Sequence, residues 1–477
     1  MREYRWQGSP EGRRWATRRR RTELWLVLLA IAVAAGGHAA AGLAMTGSVP
    51  TGLPAYTGLL GAAALAAHLA IRRFARYADP LLLPITVMIT GLGLVLVDRL
   101  DHSYAEHYGS DAMAPAQAVW TAVGAGLLIV TLVLVGHHRV LQRYTYLGMT
   151  VAMALLMAPA LFGADIYGAK RWITIGPLSV QPGEFVKVMI VVFFAGYLMA
   201  NRDALALVGR RFLGLNLPRG RNAGPVLLVW AVSLVVLFYE RDLGTSLIFF
   251  GVFVVMLHIA TRRTGWLVLG GLMAAVGTVV VAATQPHVKG RVQAWLHPMG
   301  YFLPEDRRPP GLVSDQSAQT LFSFGAGHLT GTGLGEGHSW LIGFAGRSDY
   351  ILATVGEELG LAGTTAVLLL YGLLIQRGFA AGLGATDPFG KLLAAGLSTV
   401  LALQVFVVAG GVSGLIPLTG KALPFLAQGG SSAVANFLLV ALLIRVSDSA
   451  GRAATQPEGN ATILTPVVRG AERPEVL

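Results

Sequence analysis

The sequence predicts an all-α, polytopic integral membrane protein with about twelve transmembrane helices. Three observations predict it. Of 477 residues, 54% are hydrophobic and only 13% are charged, where a soluble domain carries about a quarter charged residues; the mean hydropathy is +0.61. The apolar residues fall in runs near the ~20 residues that an α-helical span needs. The basic residues fall between those runs, on alternate connections.

The charge and cysteine counts narrow the function classes. The formal charge is +12, but basic residues confined to connections match the positive-inside rule and anionic lipid, so nucleic acid is not the natural partner. There is no cysteine, hence no disulfide and no thiolate metal site. Neither a P-loop nor a dinucleotide fingerprint occurs, and nothing points to ATP hydrolysis.

Taken in order, residues 1–23 form a basic N-terminal tail with eight arginines, ending in TRRRR. A start-in signal anchor fits the run that follows better than a cleaved signal peptide, because the charged region is long and the run is near full span length. Segment 24–78 then holds two spans, with cores at 24–46 and 53–71. Segment 79–446 holds ten more, at 79–97, 116–136, 144–163, 184–200, 224–239, 244–260, 265–284, 352–375, 390–411 and 427–445. With the N-terminus inside, the even connections must be basic. They read RRFAR (72–76), HHRVLQR (137–143), a loop with Arg202, Arg210, Arg211, Arg219 and Arg221, TRR (261–263) and QR (376–377). Outside lies the acidic DRLDHSYAEHYGSD (98–111). Both termini are therefore expected in the cytoplasm. The stretch 447–477 has no apolar periodicity and reads as a disordered cytoplasmic tail.

This topology gathers the unusual segments on the outer face: GAKRWITIGPLSVQPGE (168–184), ERDLGTS (240–246), a long loop at about 285–351 between spans 9 and 10, and SGLIPLTGKALPFLAQGGSS (413–432). Irregular backbone at membrane depth survives where it lines a cavity or is buried in protein. Glu184, Lys187, Asp242, Glu357 and Glu358 lie at or just inside the ends of apolar runs on this face. A charge at the centre of a membrane helix costs roughly 2.5–3.5 kcal/mol on insertion scales, so a shared polar cavity is the economical explanation. Ordinary loops with structural ion pairs are the bland one. The six glycines between Gly325 and Gly337 suit close backbone approach to a ligand. Acids among cations over such a cavity suit a lipid-linked anionic substrate: cations hold a pyrophosphate leaving group and a carboxylate takes a proton from an attacking hydroxyl. Composition stops at a transporter or transferase for an anionic amphiphile.

Four ordered motifs go further. GAKRWITIGPLSVQPGEFVK resembles the GAxRWxxxGxxxxQPSExxK signature of the SEDS proteins, the RodA/FtsW/SpoVE group. ERDLGTS resembles PDLGTS, RSDYILATVGEELGLAG resembles HTDFIFAxIGEELGxxG, and IPLTGKALPFLAQGGSS resembles LPxTGxxLPFxSYGGSS. The two extra N-terminal spans resemble the longer RodA-like members of high-GC Gram-positive bacteria. The resemblance implies a ten-helix core and a peptidoglycan glycosyltransferase that polymerises lipid II at the outer face of the bacterial cytoplasmic membrane, beside a class B penicillin-binding protein, in elongation, division or sporulation. A lipid II flippase and a non-catalytic scaffold for a penicillin-binding protein are the alternatives. No clear internal repeat of the kind that marks many transporters is found.

Residue by residue, the resemblance implies Asp306 as the general base on the acceptor 4-hydroxyl, since it stands ten residues before Gln316 and its neighbour Ser317. Asp315 is the fallback, and Gln316 and Ser317 are expected among the substrate-cavity residues. Lys187 and Arg171 are expected to balance the substrate or its pyrophosphate, with Glu184 orienting Lys187. Asp242, Asp349, Glu357, Glu358, Ser431 and Ser432 match later family positions and are read as structural or secondary; Asp242 suits the start of a helix. The loop DRRPPGLVSDQS lacks the tyrosine and second glycine of the family's DPxGxGYQxxQS, and Arg347 stands where the family has histidine. No organic cofactor is expected. A divalent cation such as Mg2+ fits a carboxylate facing pyrophosphate, but the sequence shows no ligand set for it.

Overall fold

The structure, a computed structural model, describes residues 10–166, 169–175, 178–205, 208–212, 215–218, 227, 229, 231, 232, 242–309, 311, 312 and 314–454. Among these, eleven helices are long and apolar enough to cross a membrane. They are α1 (Pro10–Thr46), α2 (Leu53–Phe74), α3 (Leu82–Tyr108), α4 (Ala114–Leu134), α5 (Thr145–Phe162), α6 (Pro182–Leu205), α7 (Leu243–Thr261) and α8 (Gly265–Thr284), then, after the shorter α9 (Pro286–Leu296) and α10 (Gln316–Gly327), α11 (Ile351–Gly384), α12 (Pro388–Val412) and α13 (Gly430–Ala454). They match eleven of the twelve expected spans. The span expected at 224–239 lies almost wholly outside the described residues.

The core is built by α13 on α4, α1 on α3, α11 on α12 and α5 on α6. α3 and α13 are the most enclosed, with 83% of their apolar windows buried; α8 and α5 have 17% and 22%. The exposed row on α8, including Leu272, Val276 and Val279, is what a helix facing lipid presents. The protein is multi-pass, and its polar loops meet at one face of the bundle.

Two boundaries differ from the sequence reading. α1 begins at Pro10, so 10–23 is helical rather than tail. The reason is Glu23, fully buried, which pairs with Arg20 and takes His68 Nδ1 at 2.7 Å. α13 runs to Ala454, so 447–454 is helix as well. There Asp448 accepts from Tyr77 N at 2.9 Å and pairs with Arg452 at 2.7 Å, tying the end of α13 to the connection before α3. Residues 455–477 lie outside the described residues. A small sheet also stands where a loop was expected: β1 (Ala164–Ile166), β2 (Ala169–Ile175) and β3 (Leu178–Val180) pair antiparallel in that order.

The glycine-rich tract has a structural partner rather than a ligand. α11 breaks at Gly360 (φ 67°), which frees backbone groups inside the bundle. Thr332 N and Gly333 N donate to the carbonyls of Glu357 and Glu358 at 2.9 and 3.0 Å, while Leu361 N and Ala362 N donate back to His328 and Leu329 at 3.0 Å. A Cβ on Gly331 would sit 2.1 Å from the Glu358 carbonyl oxygen. The glycines thus admit the loop to the helix break, where each freed group must find a partner.

Candidate active site

The first part of the site is a buried row of alternating charge. Gln181 precedes α6, and the helix places Glu184 and Lys187 one turn apart on one face. Lys187 Nζ lies 2.8 Å from Glu184 Oε2 and also donates to Gln404 Oε1 at 3.0 Å and Asn436 Oδ1 at 2.9 Å. The other Glu184 oxygen faces Lys421 Nζ at 3.3 Å. Lys421 in turn reaches Asp242 Oδ2 at 2.9 Å, and Arg171 on β2 approaches that oxygen at 4.0 Å. The order Lys187, Glu184, Lys421, Asp242, Arg171 is cation, anion, cation, anion, cation, a sequence in which each buried charge has an opposite neighbour.

Each member is held by its local structure. Asp242 caps α7 and accepts from Thr245 N at 2.9 Å, so the helix-start reading of this residue and its charge pairing coexist. Lys421 fits because Gly244 has no side chain: a Cβ there would meet Lys421 Cγ at 2.3 Å. Gln404, on α12, donates to the Ala422 carbonyl at 2.9 Å and fixes the loop that carries Lys421. Ser431 Oγ accepts from Gln181 N at 2.9 Å, and Ser432 Oγ accepts from Asn436 Nδ2 at 3.2 Å. Lys421 lies in the loop between α12 and α13. Against burial, which pulls its amine down, Asp242 and Glu184 raise it to about 12.

The second part is a cavity of about 730 Å3 beside this row, bounded by α9, α10, the start of α11 and the 411–418 turn. Its polar side carries Arg291, Gln316, Ser317, Asp349 and Tyr350; its apolar side includes Trp295, Leu321, Ile416 and Leu418. Ser317 Oγ and Tyr350 OH stand 3.5 Å apart. Asp349 is the only acid among the described lining residues. Burial pushes its carboxyl up, against the pull of Arg291, Lys421 and Arg171. The same field links the cavity to the charged row.

The predicted residues therefore divide. Arg171, Glu184, Lys187 and Asp242 form the row; Gln316, Ser317 and Asp349 line the cavity. Asp306 is elsewhere. It sits on a single 3-10 turn, Glu305–Arg307, with its side chain 77% exposed and, among the described residues, only Arg307 within ion-pair distance, at 3.9 Å. Yet Pro298 and Gly311, on either side of this turn in the chain, both line the cavity, so Asp306 rides on a rim loop. Asp315 accepts from Gln319 Nε2 at 3.0 Å at the start of α10. Glu357 and Glu358 are structural. Glu357 accepts from His338 N at 2.6 Å and from Ser339 Oγ; Glu358 pairs with Arg99 and accepts from Gly335 N at 3.2 Å. Arg347 is structural too, pairing with Asp101 at 2.5 Å. Sequence reasoning missed Lys421 as a site residue: a single lysine in a Gly- and Pro-rich loop carries no spacing signal.

A bundle of apolar helices long enough to cross a membrane, with a cavity lined by Arg291 and Asp349 beside apolar side chains, defines a polytopic membrane protein. Residues 80–451 match the FtsW/RodA/SpoVE family, described as "Cell cycle protein", and the chain belongs to that family. It is 43% identical over 392 residues to "Peptidoglycan glycosyltransferase RodA" of Mycobacterium tuberculosis (strain ATCC 25618 / H37Rv), covering 81% of each chain. It is 30% identical over 372 residues to "Stage V sporulation protein E" of Bacillus subtilis (strain 168), covering 77% of this chain and 96% of that one. Among solved structures, a chain described under "Structural coordination of polymerization and crosslinking by a peptidoglycan synthase complex" superposes with a TM-score of 0.59 at 25% identity, covering 78% of this chain and 98% of that one. Thermus thermophilus RodA shares the fold, with a TM-score of 0.53 at 23% identity, covering 78% and 96%.

Proposed function

We propose that this chain is a peptidoglycan glycosyltransferase that polymerises lipid II into β-1,4 glycan strands at the outer face of a bacterial cytoplasmic membrane, working with a class B penicillin-binding protein. The observation that carries the reading is the cavity, in a chain whose relatives bear that enzyme name. Its apolar wall suits a polyprenyl chain and its polar side suits a sugar diphosphate. The site face is then the outer face. The opposite face carries Arg72 and Arg73 in the last turn of α2 and His137, Arg139, Arg262 and Arg263 between helices, as cytoplasmic ends and loops do.

The chemistry follows from the bond made. The sugar carbon of lipid II is α-linked to diphosphate and the product bond is β, so one attack from the opposite face inverts the centre. The acceptor 4-hydroxyl oxygen bonds to that carbon, the carbon–diphosphate bond breaks, and the lipid diphosphate leaves. In this reading Asp306 takes the hydroxyl proton from its rim loop, and the acceptor strand lies across the rim. Glu184, Lys187 and Asp242 hold the walls of the site in place. A divalent cation such as Mg2+ would be held here by one or two carboxylates together with the substrate's phosphates, since among the described residues no three His, Asp or Glu side chains converge.

The test is polymerisation of purified lipid II in liposomes holding this chain and each class B penicillin-binding protein of its host. Glycan ladders support the proposal. Movement of labelled lipid II across the bilayer without any ladder favours a flippase instead.

A further inference from the structure

We infer that Arg291 is the cation that holds the diphosphate of the prenyl-linked substrate, with Asp349 as its counter-charge in the cavity. The inference rests on the transferase reading and assigns it a residue that the sequence motifs did not single out.

The argument begins with which cations are already engaged. Lys187 is saturated by Glu184, Gln404 and Asn436. Lys421 is shared between Glu184 and Asp242, and Arg171 faces Asp242. Arg291 is different. It lines the cavity, where it is the only Lys or Arg among the described lining residues. Its one hydrogen bond, Nη1 to the Thr419 carbonyl at 2.7 Å, goes to backbone, and among the described residues no carboxylate lies within ion-pair distance. A guanidinium keeps several donors, so a planar fork remains for phosphate oxygens.

The position is built rather than incidental. Gly420 has φ +72°, and a Cβ there would come 2.6 Å from Arg291 Nη2. The glycine thus lets the guanidinium lie flat on the turn that also carries Lys421. Asp349 shares the cavity, and Arg291 is the cation acting on it most strongly; it makes no hydrogen bond among the described residues. The apolar wall of Trp295, Leu321, Ile416 and Leu418 starts beside this polar pair. A diphosphate at Arg291 would therefore have an apolar surface next to it for its prenyl chain. A negative Asp349 near an anionic ligand opposes binding, so the pair predicts effects of opposite sign.

The experiment measures binding of farnesyl diphosphate and farnesol to the detergent-solubilised full-length chain by calorimetry. Wild type should prefer the diphosphate. Arg291→Gln should weaken diphosphate binding by about tenfold or more and leave farnesol unchanged, while Arg291→Lys should recover part of the loss. Asp349→Asn should tighten diphosphate binding by a few fold. Equal diphosphate affinity in wild type and Arg291→Gln would overturn the assignment. Should Arg291→Gln lose its fold, Asp349→Asn decides: affinity that is unchanged or weaker overturns it. Diphosphate binding that depends on Arg291 in a chain that forms no glycan would sink the transferase reading and leave this assignment standing.

Discussion

Lys421 is the residue on which the buried charges turn. Remove its amine and, among the described residues, Glu184 loses one of its two cations, while Asp242 keeps Arg171, at 4.0 Å, as its one cation. Removing one partner of a buried pair costs about 3–5 kcal/mol, so Lys421→Met should lower the thermal midpoint sharply, read by calorimetry in detergent. The same pairing predicts a pH window. The amine is raised in the folded chain from 10.5 to about 12, so its stabilisation is complete below pH 10.5 and is lost as pH rises through about 12. Melting curves of wild type and Lys421→Met should converge across that window; curves that stay parallel would show that Lys421 is not paired as described. Part of this site was legible in the sequence. Glu184 and Lys187 stand three apart at the head of an apolar run, and helical geometry alone puts them together. Lys421 was not, because its partners come from α6 and the start of α7, more than 170 residues earlier in the chain.

The helix break at Gly360 and the glycine loop that fills it form one unit. Gly360 holds φ 67°, and an added Cβ would lie 2.3 Å from Gly331 N. Gly360→Ala should therefore destabilise by about 1–3 kcal/mol from backbone strain and also push the loop off the helix. Hydrogen exchange should then speed up at Thr332, Gly333, Leu361 and Ala362, whose amides close the break; unchanged protection there would refute the account. Elements as a class were well signalled, since long apolar runs between basic connections leave little choice but membrane helices. The strands at 164–180 were not, because they are short, lie among glycines and prolines, and pair only with each other. The glycine tract was visible, but its partner was misjudged. A glycine shows that some backbone or ligand comes close and does not say which, and here it is the carbonyls of α11.

At the scale of the whole molecule, everything depends on sidedness and on chemistry at the rim. The chain has no cysteine, so single cysteines report orientation without background. Asp111→Cys, in an exposed connection on the site face, should react with an impermeant maleimide on intact cells. Arg139→Cys, on the opposite face and 56% exposed, should react only after permeabilisation; the reverse pattern would place the cavity on the cytoplasmic side. α1 and α2, outside the family match at 80–451, extend this framework: α1 packs along α3, and Gly335 of the glycine loop comes within 2.9 Å of the Ala41 carbonyl oxygen, measured from an added Cβ. The most direct test of the central claim is lipid II polymerisation by wild type and Asp306→Ala, each reconstituted with the same penicillin-binding protein. Asp306 is exposed, and among the described residues its side chain approaches only Arg307, at 3.9 Å, so the variant should fold and bind its partner as wild type does. Ladders from wild type and none from Asp306→Ala are the predicted result. Ladders of equal length and yield from both would contradict it.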